Sequence, residues 1–252
     1  MIFFEMNVQS QELKHEVQIN VLLPDRKTED APPCKTLWLL HGLMGNHTSW
    51  MRKTAIDRYA TEHNIAVVMP DVGRSWYTDT VYEANYFSFI AHELPEMFNR
   101  QFKGLSRARE FNMVGGLSMG GYGALKLALS HPEQYDTCIS LSGSLDITRK
   151  GRETNLAEWR SIFDYHMETP LSLEGSKHDL FALAAKNKEA GLPFPKLYMW
   201  CGESDSLLPI NRAFSAHLTN LNIPHIYEES EGDHSWKWWD IHMQDALRQT
   251  LK

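Results

Sequence analysis

The sequence predicts an α/β protein built on a mainly parallel sheet of about eight strands, with helices on both faces. Two observations carry this expectation. Short, dense apolar runs recur at Thr36–Leu40, Ile65–Met69, Phe111–Val114, Thr137–Leu141 and Leu197–Trp200. Strands apolar on both sides suit a sheet buried between two helix layers. Helical patterns fill the gaps between these runs, and strands alternating with helices give βαβ units.

Taken in chain order, Val17–Leu23 alternates toward a proline stop and reads as an early strand, expected to pair with Phe3–Val8. Helical segments are expected over Trp50–His63 and Glu83–Phe102, the second interrupted by Pro95. Met119–Ser130 follows the Phe111 strand directly as a helix. The stretch from about residue 147 to 192 shows no clear strand; it is charged at first and helical around Asp179–Lys188. It reads as a short, cap-like insertion over the C-terminal edge of the sheet, before the penultimate strand. Ile210–Leu221 is helical and His225–Glu229 is a weaker, more polar strand. In the closing segment Trp236, Trp239, Met243, Ala246 or Leu247, and Leu251 recur at helical spacing, which predicts one buried stripe. No internal repeat or low-complexity boundary divides the chain, so residues 1–252 are expected to form one domain.

The net charge of -7 argues against an electrostatic grip on nucleic acid or on an anionic membrane, which needs clustered Lys and Arg. No run reaches the apolar length that spans a bilayer. Cys34, Cys138 and Cys201 are scattered and odd in number, forming neither a disulfide framework nor a CxxC site. The start, Met1-Ile2-Phe3-Phe4-Glu5, lacks the basic and apolar regions of an export signal. Read as a complete gene product, the chain is expected in the cytoplasm; a trimmed secreted form is the alternative. His92-Glu93-Leu94-Pro95-Glu96 is not the H-E-x-x-H of a zinc hydrolase, and no phosphate-binding G-x-x-x-x-G-K-[ST] loop is present. Neither a metal nor a cofactor is expected.

The strongest local signal is Gly116-Leu117-Ser118-Met119-Gly120, set between the Phe111 strand and the Met119 helix. A G-x-S-x-G in that position is a nucleophile elbow, a tight turn whose glycines make room for neighbouring backbone. The same turn in a non-catalytic protein would leave the serine as a helix cap. A serine hydroxyl needs a base, and the base an orienting acid. On such a sheet the order is Ser, then Asp or Glu, then His. His234 sits after the last strand, in Glu231-Gly232-Asp233-His234-Ser235-Trp236. The acid is expected after the Leu197 strand, in Cys201-Gly202-Glu203-Ser204-Asp205-Ser206, with Asp205 preferred and Glu203 the fallback. The developing oxyanion needs two backbone donors. These are expected from Met119, which follows the serine, and from Leu43 in the glycine-rich loop His41-Gly42-Leu43-Met44-Gly45; His41 is read as shaping that loop. Trp76 and Tyr77, after Asp71 and Gly73, and Trp236 are candidates for the mouth of the substrate site.

Together the Leu39-Leu40-His41-Gly42 loop, the Met69-Pro70-Asp71 turn, the Gly116–Gly121 elbow, the Cys201–Asp205 turn and the Gly232–Trp236 end resemble the esterase D family of α/β hydrolases. That family includes tributyrin esterases, feruloyl and acetylxylan esterases and S-formylglutathione hydrolase. The resemblance covers nearly the whole chain and is nearest the small tributyrin esterases. It implies the α/β-hydrolase fold, a triad of Ser118, Asp205 and His234, oxyanion donors at Leu43 and Met119, and hydrolysis of short-chain acyl esters. The His41-Gly42 pair departs from typical S-formylglutathione hydrolases. The expected partner is a small-molecule ester, with a homo-oligomer open. An acyltransferase or thioesterase on the same residues, or a non-catalytic binding module, are the alternatives.

Overall fold

The computed structural model describes residues 1–26, 28, 30–148, 156–163 and 173–251. An eight-stranded sheet runs in the order β1-β2-β4-β3-β5-β6-β7-β8. Its strands are β1 (Ile2–Gln9), β2 (Glu16–Leu23), β3 (Thr36–Leu40), β4 (Ala66–Pro70), β5 (Asn112–Leu117), β6 (Thr137–Leu141), β7 (Lys196–Gly202) and β8 (Ile226–Ser230). β1 pairs with β2, and β2 with β4, antiparallel; the remaining pairs are parallel. Every residue of β3, β4, β5 and β6 is buried, which is why these segments read as unbroken apolar runs rather than as alternation.

Alternate side chains along these strands enter two separate cores. Leu37, Leu39, Val67, Met69, Ile139, Tyr198 and Trp200 face one layer, with Trp50, Ile56, Tyr59, Trp239 and Met243. Trp38, Leu40, Val68, Val114, Cys138 and Met199 face the other, with Phe89, Phe98, Leu125, Leu180 and Phe214. The period-two alternation of a strand thus sorts the sequence into two helix layers.

The first layer holds α1 (Ser49–Lys53), α2 (Ile56–His63) and the last helix, which is numbered below. The single helix expected over Trp50–His63 is therefore two. The Thr54 hydroxyl donates to Trp50 O, and the Ala55 N–H, instead of continuing the ladder, donates to Asp240 Oδ1 at 2.9 Å. A side chain that competes for backbone groups ends a helix in this way. The helix expected from Glu83 begins at Tyr86, and Pro95 does not break it. This helix, α3, is α-helical over Tyr86–Ser88, widens to a π turn over Phe89–Glu93 and continues over Leu94–Gln101. Leu94 N–H reaches back to Phe89 O, and the wider turn relieves the crowding that a proline ring brings to the preceding turn.

Further α-helices among the described residues are α4 (Met119–Ser130), α5 (Leu156–Ile162), α6 (Leu180–Glu189), α7 (Leu208–Asn220) and α8 (Trp236–Thr250). In α8 the buried residues are Trp239, Met243, Ala246, Leu247 and Thr250, with Trp236 and Leu251 packed at the margin, so the expected stripe is present. Much of the insertion expected over 147–192 lies outside the described residues; within it, α5 and α6 are described. No helix of the described residues is long and apolar enough to cross a membrane.

Phe98 on α3 is 1% exposed and packs edge-on to Trp38 at 5.9 Å. Phe98→Ala is expected to lower unfolding stability by about 3–5 kcal/mol, the cost of an aromatic-sized cavity. Urea denaturation measures it, and an unchanged midpoint would mean that this helix face is not packed as described.

Candidate active site

Ser118 occupies the single residue between the end of β5 and the start of α4, at φ 54° and ψ -117°. That is an uncommon conformation for a side chain with a Cβ. The turn can be this tight because α4 lies against β3 without intervening side chains. A Cβ on Gly120 would come within 2.4 Å of Leu40 O. Ser118 N–H donates to Leu141 O at 2.9 Å, and Ser118 O accepts from the N–H groups of Tyr122 and Ser144. The strained residue is thus clamped through its own peptide groups by the end of β6, the loop that follows it and the first turn of α4.

His234 Nε2 lies 3.0 Å from Ser118 Oγ, and His234 Nδ1 lies 2.8 Å from Asp205 Oδ2. With Nδ1–H donating to the carboxylate, Nε2 is left to accept from the serine hydroxyl. The imidazole stands edge-on to the Trp239 ring, with centroids 4.8 Å apart. The loops bearing the acid and the histidine are tied together by Glu203 N–H to Ser230 O and by Ser204 N–H to Gly232 O. Of the two carboxylates in the turn after β7, Asp205 meets the imidazole. Glu203 is exposed, and no hydrogen bond joins it to His234 among the described residues.

The Asp205 side chain is fully shielded from solvent. Burial pushes its carboxyl up, but hydrogen bonds from His234, the Leu207 N–H and Ser142 outweigh this, and its pKa lies below the usual value. Ser142 is a partner that the sequence reading missed. It follows β6 in a left-handed conformation (φ 48°), is fully buried, and accepts from Trp239 Nε1 at 3.0 Å. Its sequence context, Leu141-Ser142-Gly143-Ser144 at a strand end, marks a turn but gives no sign of a contact with residue 205.

Met119 is the first residue of α4, where backbone N–H groups have no intrahelical acceptor. Leu43 lines the same cleft in the turn after β3, closed by Gly45 N–H to Gly42 O. His41 shapes this loop. It is 1% exposed, pairs through Nδ1 with Gly42 O at 2.8 Å, and accepts the Val72 N–H at Nε2 at 3.1 Å. The cleft has a volume of about 480 Å³ and is lined by Leu43, Met44, Ser118, Leu207, His234 and Trp236, among others. Trp236 stands at its wall, edge-on to Trp50 and Trp239. Trp76 does not reach it. Trp76 is 2% exposed and turned into the core against Tyr122 and Trp159, and Tyr77 is wholly buried, so the expected place of both at the mouth is corrected to the core. A buried aromatic and a rim aromatic read alike in sequence.

A serine hydroxyl, an imidazole held by a buried carboxylate, and N–H groups at a helix start are groups of the kind that acyl transfer uses. On this sheet they define an α/β-hydrolase-fold serine esterase, a carboxylic ester hydrolase. The profile of the Esterase family matches residues 10–250, and the chain belongs to that family. It is 34% identical to an acetyl esterase of Caldicellulosiruptor saccharolyticus, over 98% of this chain and 97% of that protein. Among solved structures, it is similar to the substrate-bound fluorophosphonate-binding serine hydrolase F of Staphylococcus aureus, with TM-score 0.92 and 32% identity over 100% of this chain and 98% of that one. It is also similar to an S-formylglutathione hydrolase of Staphylococcus aureus, with TM-score 0.89 and 31% identity over 100% and 99% of the two chains.

Ser142→Ala removes the hydroxyl that accepts from Trp239 Nε1 and helps hold the Asp205 carboxyl low, and is expected to cost about 1–3 kcal/mol of stability at neutral pH. Because the folded Asp205 pKa is depressed, the stabilisation is complete above the ordinary carboxylate range. It fades as pH falls through the folded value. Urea denaturation of both proteins at pH 7 and at a pH well below the ordinary carboxylate range should therefore show the difference shrinking in acid; a penalty that grows in acid would refute the assignment.

Proposed function

We propose that the protein hydrolyses short-chain acyl esters of a small alcohol or sugar through a triad of Ser118, His234 and Asp205. The observation that supports this reading most is the continuous hydrogen-bond chain, 3.0 Å from hydroxyl to imidazole and 2.8 Å from imidazole to carboxylate. His234 takes the proton as Ser118 Oγ attacks the ester carbonyl. The N–H groups of Leu43 and Met119 receive the oxyanion. His234 then returns the proton to the leaving alcohol, and water repeats the sequence on the acyl-enzyme. Asp205, held ionised by its hydrogen bonds, fixes the imidazole tautomer and stabilises the imidazolium. Trp236 forms one wall of the substrate site, and the described residues form a single α/β unit.

The preference for short acyl groups is supported by the likeness to an acetyl esterase along nearly the full length of both proteins. A second reading, thioester hydrolysis by the same residues, is favoured by the likeness to an S-formylglutathione hydrolase at 31% identity. The chemistry is the same up to the leaving group, a thiolate in place of an alkoxide.

A fluorophosphonate probe should label Ser118. Ser118→Ala should remain folded, lose labelling and lose at least about 10³-fold in kcat; a variant that still turns over esters at the parent rate would exclude Ser118 as nucleophile. In a nitrophenyl ester series from acetate to octanoate, kcat/KM should be greatest from acetate to butyrate. Faster turnover of the long chains would defeat the short-chain assignment.

A further inference from the structure

Tyr77 has no part in the scheme above, yet it touches both elements that carry the proposed oxyanion donors, the loop after β3 and α4. It lies in the loop after β4, wholly buried, and both it and Trp76 are in the left-handed region, at φ 49° and φ 53°. Two such residues in succession, neither of them glycine, are disfavoured and persist only where the surroundings hold them.

Several side chains hold this turn. The Tyr77 N–H donates to Ser75 Oγ, and the Thr78 hydroxyl donates to Trp76 O. Lys126 Nζ donates to Tyr77 O at 2.9 Å and to Thr78 Oγ1 at 2.7 Å. Lys126 is 2% exposed and belongs to α4, the helix that begins at Met119. Burial pushes its amine well below the ordinary lysine value, so it is a costly group to keep in the core for packing alone.

The ring of Tyr77 lies directly on the same helix. A Cβ on Gly123 would come within 2.3 Å of Tyr77 Cδ2, so glycine at that position is what allows the contact. At its far end the phenol donates to His41 O at 2.8 Å. Burial raises the phenol well above its ordinary pKa, so the hydroxyl remains a donor throughout the working range. The carbonyl it holds belongs to the His41–Gly42 peptide, and the next peptide carries the Leu43 N–H.

We propose that Tyr77 is a positioning residue for the oxyanion site, a strut between α4 and the His41–Leu43 loop that sets the spacing and direction of their two N–H donors. The proposal rests on the assignment of Leu43 and Met119 as those donors. One donor travels with α4 and the other with the loop, and Tyr77 is gripped by α4 at its ring and its carbonyl while its hydroxyl orients the loop. A donor misaimed by a fraction of an ångström binds the neutral ester carbonyl almost as before but holds the tetrahedral oxyanion less well. Loss of the strut therefore falls on kcat rather than on KM.

The decisive variant is Tyr77→Phe, which removes one oxygen and keeps the ring. Its kcat for an acetyl ester should fall by about tenfold or more, a part of what deleting an oxyanion donor costs, with KM changed by less than about threefold. A trifluoromethyl ketone supplies a second readout. Ser118 Oγ adds to its carbonyl carbon, the hydroxyl proton passes to His234, and the carbonyl oxygen becomes an oxyanion held by the same donors. Its inhibition constant should weaken in proportion to kcat/KM. A folded Tyr77→Phe with wild-type kcat, or one whose kcat falls while affinity for the ketone is unchanged, would overturn the proposal. Should Tyr77→Phe fail to fold, Lys126→Met decides: it frees the Tyr77 carbonyl and should give the same paired loss of kcat and ketone affinity, whereas wild-type values refute the strut. Failure of the underlying chemistry has a different signature, because it shows as ester turnover or probe labelling that survives in Ser118→Ala.

Discussion

The arrangement depends on one constrained residue. Ser118 is held at φ 54° between a strand that ends and a helix that begins, and a left-handed serine costs of the order of 1–3 kcal/mol. That cost is tolerable only because the turn is locked from both sides: its N–H by β6 and its carbonyl by the first turn of α4 and by Ser144. In return the hydroxyl stands clear of the sheet at the C-terminal edge of the parallel strands, where neighbouring loops converge. Relaxing the turn would carry the hydroxyl away from His234, whose Nε2 is 3.0 Å off.

Around that turn the protein sorts its polar groups by burial. Asp205 is shielded and ionised, held by three kinds of donor. His234 is more than a third exposed, in the cleft, facing carboxylate on one side and hydroxyl on the other. A charge can be kept in the interior when it is fully hydrogen-bonded. The Trp239 indole extends this support, since it stands edge-on to the imidazole and donates to Ser142, which in turn serves Asp205. The histidine and its acid are therefore fixed by the same helix, α8, that closes the first core.

On the opposite side of the sheet edge, a second set of contacts governs the loop after β3. His41 is buried with both ring nitrogens engaged, and Tyr77 and Val72 bind the loop to the turn after β4. The loop thus leans on a neighbouring strand end and on α4 rather than on its own short length. Loops can carry chemistry when a rigid scaffold positions them, and here the scaffold includes a strained pair of residues pinned by a buried lysine.

Local rules account for the features that could be read along the chain. Strands buried on both faces betray themselves as apolar runs, and a G-x-S-x-G between strand and helix announces a tight turn, so the central strands, α4 and the Ser118 elbow were legible, as was the loop of His234, while β1, β2 and β8 showed only as weaker or alternating patterns. Other features required the third dimension. The split between α1 and α2 turns on Asp240, 185 residues away from Ala55, and the unbroken run of α3 past Pro95 turns on a π turn that no pattern marks. Asp205 could be ranked above Glu203 by position in its loop, but only the meeting of the β7 and β8 loops decided which carboxylate faces the imidazole. The same holds for Ser142 and Tyr77, polar groups whose partners lie far along the chain, and for Trp76, whose ring turned inward rather than to the cleft. Local propensity sets what an element is; which side chains meet across elements is decided by packing, because the contacts that satisfy buried polar groups are formed between segments that sequence distance does not relate.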